Sequence, residues 1–184
     1  MKTSKIRSKN IVFCALFSTL CFISTYLVVI PLPNGYLNTG DVFVLLAGWC
    51  LGPLFGGIAS AVGCALADIL SSFALYAPAT FIIKGAVAIF AYYTSLLFKS
   101  VLKKERYDFL IRAISALLGE LLMVFGYFLF ETVLYGFAGA TLSLLGNALQ
   151  GIVCLLCAVV LFSALYPTSF FKNTFLLSKE KKEK

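Results

Sequence analysis

APATFIIKGAVAIFAYYTSLLF, residues 77–98, decides the fold. The run is overwhelmingly apolar and long enough to cross a bilayer, whose hydrocarbon core of about 30 Å takes about 20 helical residues. Yet Lys84 stands inside it. Every other Lys and Arg falls into one of three clusters: Lys2, Lys5, Arg7 and Lys9; Lys99, Lys103, Lys104, Arg106 and Arg112; and Lys172, Lys179, Lys181, Lys182 and Lys184. Acidic side chains are stranded in similar apolar runs: Asp68, Glu120 and Glu131, with Asp41 at the start of another. A charge near the middle of a membrane helix costs roughly 2.5 kcal/mol or more and normally faces a bundle interior or a water-filled cavity. These residues therefore mark where the work is done.

The rest of the chain agrees. Its 184 residues are 61% hydrophobic and only 12% charged, with a mean hydropathy of +0.98, where a soluble domain carries about 25% charged residues. The expectation is an all-α integral membrane protein: a single membrane domain over 1–184, a bundle of six transmembrane helices at about 10–30, 41–51, 54–73, 79–98, 109–134 and 142–165. Pro31 and Pro33 end the first helix, Gly52-Pro53 separates the second from the third, and Tyr166-Pro167 follows the sixth. The basic N-terminus before an apolar stretch resembles a signal peptide. The stretch is longer than a signal core of about 7–15 residues and no A-x-A site follows, so it reads as a retained helix.

Charge sets the orientation. Loops rich in Lys and Arg stay cytoplasmic. Six helices leave an even number of spans between successive basic clusters, so all three clusters and both termini are expected on the cytoplasmic side. The loops at Pro31–Gly40, Ser71–Pro78 and Tyr135–Thr141, which carry no Lys or Arg, then face outward. The net charge of +7 reads as topology and contact with anionic lipid rather than nucleic-acid binding.

Several chemistries are excluded. The chain has no histidine, so imidazole acid–base catalysis and Ser-His or Cys-His nucleophiles are absent. No G-x-x-x-x-G-K-[ST] sequence is present to cradle ATP. The six cysteines all lie in apolar runs and read as small apolar residues; Cys154-x-x-Cys157 is the one spacing that brings two thiols near one helix face. No cofactor, metal or catalytic residue is called for, and an enzyme is the least favoured class.

Depth and face select a candidate site. In the six-helix topology Asp41, Asp68, Lys84, Glu131, Asn147 and Gln150 fall in one outer zone, agreeing within about 10 Å at 1.5 Å rise per residue; Glu120 lies roughly 16 Å deeper than Glu131 on the same rise. Glu120, Val124, Tyr127 and Glu131 share one helical face, as do Ser143, Asn147, Gln150 and Cys154. The expected binding site is a pocket of Asp41, Asp68, Lys84, Tyr127, Glu131, Asn147 and Gln150, with Tyr36, Asn38 and Tyr76 as rim or lid. The bland alternative pairs Lys84 with Asp68 or Glu131 merely to tie helices together. Small residues crowd the third helix, Gly56 to Ala67, and allow close packing. They recur on the first as Cys14/Ser18 and Ala15/Thr19, where the absence of a buried charge suits a face turned to a partner protein.

Taken together, Gly35-Tyr-Leu-Asn-Thr-Gly-Asp41, Leu51-Gly-Pro-Leu-Phe-Gly-Gly57, Ala67-Asp68 and Tyr76-Ala-Pro-Ala-Thr-Phe-Ile-Ile-Lys-Gly85 resemble the substrate-binding S components of energy-coupling factor (ECF) vitamin transporters. Gly119-Glu120, Gly126-Tyr127-Phe128, Phe130-Glu131, Tyr135-Gly136 and Gly146-Asn147-x-x-Gln150-Gly151 are similar to later parts of the same family. The resemblance implies a six-helix protein of the bacterial cell membrane that binds a vitamin or precursor near the outer face. It also implies docking onto a transmembrane T component that carries two cytoplasmic ATPase subunits. The family's A-x-x-x-A docking pattern on the first helix falls here on Ala15-Leu-Phe-Ser-Thr19, with Thr for the second Ala, so Ala15, Ser18 and Thr19 are the docking candidates. One Lys against several carboxylates and amides suits a small neutral or zwitterionic heteroaromatic, such as a pyridoxine- or hydroxymethylpyrimidine-like compound or a flavin, better than a strong anion. A stand-alone secondary carrier and a non-transport membrane scaffold remain the alternatives.

Overall fold

A computed structural model describes residues 2–31, 36–102 and 107–176. The expected turn residues Pro33 to Gly35, the basic residues Lys103, Lys104 and Arg106, and the lysines from Lys179 onward lie outside the described residues, as do the side chains of Lys2, Lys5, Arg7 and Lys172. The described chain is helical almost throughout. In order it forms α1 (Lys2–Leu27), a hairpin of two-residue strands β1 (Ile30–Pro31) and β2 (Tyr36–Leu37), α2 (Gly40–Leu51), α3 (Pro53–Leu70), a 3₁₀ turn (Ala74–Tyr76), α4 (Ala77–Leu102), α5 (Asp108–Leu165), and a short tail of α6 (Ser169–Phe171) and a π-helical turn (Lys172–Leu176). Four helical segments are long and apolar enough to cross a membrane: Ser8–Leu27, Pro53–Leu70, Ala74–Leu102 and Asp108–Leu165.

The last of these is too long for one crossing. Its 58 residues would span about 87 Å at 1.5 Å per residue. It breaks at Gly136, whose φ of 75° and ψ of 169° fall in a region essentially reserved for glycine. The two arms, 108–135 and 137–165, fold back on each other: a Cβ placed on Gly151 would meet Glu120 Cβ at 3.1 Å, on residues nearly equidistant from the break. The sequence suggests a loop over Tyr135–Thr141; the structure turns on a single residue and keeps 137–141 helical, with Thr141 Oγ1 donating to Ala138 O at 2.7 Å. The third helix likewise stops at Leu70 rather than Phe73. There the Ser71 hydroxyl donates to Asp68 O (3.0 Å) and accepts from the Phe73 amide (3.2 Å), a local bond that draws the chain off the helix.

α2 is the hub. At 12 residues, about 18 Å on the same rise, it is shorter than the hydrocarbon core, yet it runs from the end where Asp41 meets Lys84 to the end where Trp49 meets Arg112. It is buried over nearly its whole length, touching α1, α3, α4 and α5. Small residues allow the close approach. A Cβ on Gly48 would lie 2.3 Å from Ala88 O, one on Gly56 2.5 Å from Ala47 O, and one on Gly63 2.3 Å from Ser18 O. At the end of the bundle where α4 finishes and α5 begins, Trp49 and Phe162 pack edge to face, and Arg112 lies beside both, 5.4 and 4.4 Å from their centroids. The tail closes on the same side, Phe171 against Phe162 and Phe175 against Phe13 and Phe17.

Candidate functional site

The other end of the bundle gathers the start of α2, the end of α3, the start of α4, the two arms of α5 around Gly136, the end of α1 and the β-hairpin. Lys84 is 1% exposed, and its ammonium donates to both oxygens of Asp41, at 2.7 and 2.8 Å, with Asp41 fully buried. The lysine's partner is therefore Asp41, not Asp68 or Glu131. Asp41 Oδ2 also accepts from Gln150 Nε2 at 2.6 Å. Gln150 uses its other end as well, its Oε1 accepting the Asn38 amide at 2.8 Å. One carboxamide thus ties the second arm of α5 to both the ion pair and the hairpin. Asn38 completes the turn into α2 by accepting the Gly40 amide on its own Oδ1 at 2.9 Å. The ammonium sits 5.1 Å from the Tyr127 ring centroid, an additional favourable contact for a cation.

Outward from the pair lie two more buried carboxyls, each met by a tyrosine. Tyr36 on β2 donates to Asp68 Oδ1, and Tyr76 donates to Glu131 Oε1 at 3.3 Å. Burial and the adjacent Asp68 carboxylate push the Tyr36 phenol well above the ordinary tyrosine value, so it remains a donor across the working pH range. The second oxygens, Asp68 Oδ2 and Glu131 Oε2, are buried without a well-formed hydrogen bond, although the hydroxyls of Thr80 and Ser143 lie nearby. Thr80 Oγ1 and Tyr127 Oη are hydrogen bonded at 2.9 Å.

These side chains enclose a cavity. Tyr36, Asn38, Asp68, Tyr76, Lys84, Tyr127, Glu131, Asn147 and Gln150 all line it, so nine of the ten expected binding residues meet there. Asp41 stands directly behind Lys84. Thr25 and Thr80 also line the cavity and escape the sequence reading, because threonine is only weakly polar and at home in any membrane helix; Thr80, one turn before Lys84, carried the better signal. Glu120 is not among the lining residues. It is 4% exposed with neither oxygen hydrogen bonded, against Gly151. The cavity's free volume of about 20 Å³ has room for about one water molecule.

The other candidates separate. On α1, Ala15 and Thr19 are exposed, Thr19 bonding back to Ala15 O at 2.9 Å. Ser18 is half-buried beside α3, its carbonyl facing Gly63, and Cys14 also points at α3, donating to Phe55 O at 3.4 Å. The Cys14/Ser18 stripe is thus an internal contact, and Ala15/Thr19 is the open one. Cys154 is buried and Cys157 exposed, and no cluster suited to a metal occurs among the described residues.

Comparison with known proteins places the chain in a family. The profile of the family described as "ECF-type riboflavin transporter, S component" matches residues 5–167. An uncharacterised protein of Pyrococcus woesei, described by its position in the gap 3' region, is 36% identical over 134 residues, which cover 71% of this chain and 83% of the relative. With a multi-pass helical membrane fold and a polar cavity among its helices, the chain belongs to the S-component family of energy-coupling factor transporters, the membrane-embedded substrate-binding subunits.

Proposed function

We propose that this chain captures a vitamin or vitamin precursor, in the class of pyridoxine, hydroxymethylpyrimidine or riboflavin, at the outer face of a bacterial cell membrane. It hands that substrate to an importer made of a transmembrane T component and two cytoplasmic ATPase subunits. The observation that carries this reading is the cavity itself. Structural ion pairs have no reason to share one depth, whereas here polar side chains from α1, the hairpin, α3, α4 and both arms of α5 converge on a single space.

The orientation follows from charge. Lys9, Lys99 and Arg112 lie toward the opposite end of the bundle, and the described segments at the cavity end, 71–78 and 135–141, carry no Lys or Arg. The positive-inside bias then turns the cavity outward. Tyr36 and Asn38 on the hairpin and Tyr76 on the 3₁₀ turn form the lid, which must swing away to admit an organic molecule. Ala15, Ser18 and Thr19 mark the docking face on α1, with Ala15 and Thr19 presented to the T component and Ser18 at its edge. ATP must come through the partner subunits, since the chain has no phosphate-binding loop.

Reconstitution tests this. Co-expressed with a T component and the two ATPases in proteoliposomes, the chain should support uptake of radiolabelled vitamin only with internal ATP. Uptake by the chain alone, driven by a pH gradient, would establish the secondary-carrier reading instead.

A further inference from the structure

We infer that the substrate carries a positive charge: it is an organic cation, a protonated amine or a cationic nitrogen heterocycle. This rests on the receptor reading above and moves its substrate from the uncharged compounds named there to a cationic vitamin or precursor. Among the described residues the one cation at the site is Lys84, and it is already paired, donating to both Asp41 oxygens. Two further carboxyls line the cavity, Asp68 and Glu131, each 2% exposed. Each has one oxygen engaged by a tyrosine and the other buried without a well-formed bond. Isolated ionised carboxylates in a dry interior cost several kcal/mol apiece. What these two carboxyls lack, among the described residues, is a cationic partner: the lining Lys84 is paired with Asp41 instead.

The remaining walls have the matching character. Tyr36, Tyr76 and Tyr127 bring aromatic rings to the same space, with Tyr76 and Tyr127 centroids 6.5 Å apart. Aromatic faces beside carboxylates are the usual means of holding an organic cation, by cation–π attraction at the ring and charge-assisted hydrogen bonding at the oxygens. An anionic ligand would meet two carboxylates, and among the described lining residues the cation, Lys84, is already paired with Asp41. A neutral ligand rich in carbonyl acceptors would leave both carboxyl oxygens unanswered.

The test uses the full chain purified in detergent and four probes: thiamine, permanently charged; pyridoxamine, an ammonium at neutral pH; riboflavin, neutral; and pantothenate, anionic. Equilibrium binding should give at least one of the two cations a Kd tenfold or more tighter than riboflavin and pantothenate. Asp68→Asn and Glu131→Gln, which keep size and remove charge, should each weaken cation binding about tenfold with little change in melting temperature. Tighter binding of riboflavin or pantothenate than of both cations overturns the inference and leaves the receptor reading standing. Cation binding unchanged in both variants also overturns it. Failure to bind either cation overturns the inference; the receptor reading falls only if the chain also binds none of a broad vitamin panel.

Discussion

At the scale of single residues, the buried Lys84–Asp41 pair bears first on stability. Removing one partner of a buried pair strands the other charge, at about 3–5 kcal/mol, whereas replacing both by apolar groups is often neutral. Lys84→Met should therefore lower the unfolding midpoint sharply in a detergent denaturation series, and Asp41→Leu/Lys84→Met should recover most of the loss. A double variant as unstable as the sum of its singles would show that the pair is not coupled as drawn. Ligand binding divides the polar residues differently. Lys84→Ala or Asn147→Ala should weaken it far more than Glu120→Ala, because Glu120 lies outside the cavity; equal losses in a binding titration would contradict a site confined to this end. That an ionisable residue in residues 77–98 faces other polar groups is legible from hydropathy alone. Which carboxylate it takes is not. Asp41, Asp68 and Glu131 stand at similar depth, and the choice is made by α2 packing against α4, a contact between residues 43 positions apart.

Among the elements, the short helix α2 and the break in α5 place the site. α2 carries Asp41 into the middle of the bundle because Gly48 and Gly56 let its backbone approach α4 and α3. A methyl at either position would overlap a carbonyl oxygen, so Gly48→Ala should displace α2 and abolish ligand binding, measured alongside the melting temperature. Gly136→Ala acts differently. Nothing lies within 4 Å of the added carbon, so its cost is conformational, about 1–3 kcal/mol for a backbone in that region. A variant that melts like the wild type would mean that the turn between the arms relaxes freely. Helix positions are readable from apolar run length and from Pro and Gly punctuation, as Gly52-Pro53 illustrates. The turn at 135–141 is less readable: Gly136 and Gly139 look alike in sequence, yet only one takes the non-helical backbone. The β1–β2 pairing is invisible to periodicity, since two residues are too few to alternate.

For the whole molecule, the proposed orientation rests on charge asymmetry. Thr141 is exposed beside the cavity end and Ser100 is exposed at the other. On intact cells a membrane-impermeant maleimide should label Thr141→Cys and spare Ser100→Cys until the cells are opened; the reverse pattern would put the cavity on the cytoplasmic side. Docking belongs to this scale too. Thr19→Trp on the exposed face of α1 should block assembly with a T component while leaving solute binding by the isolated chain intact, as read by co-purification and titration together.

The most direct measurement is mass spectrometry of what the chain carries. Purified alone in detergent and then denatured, the wild-type protein should release a small organic molecule in amounts approaching one per chain. Asn147→Ala, which alters the cavity wall without touching the Asp41–Lys84 pair, should release far less. A wild-type chain that carries nothing and binds none of a broad vitamin panel, or an Asn147→Ala chain that carries as much as the wild type, would contradict a ligand site around Lys84.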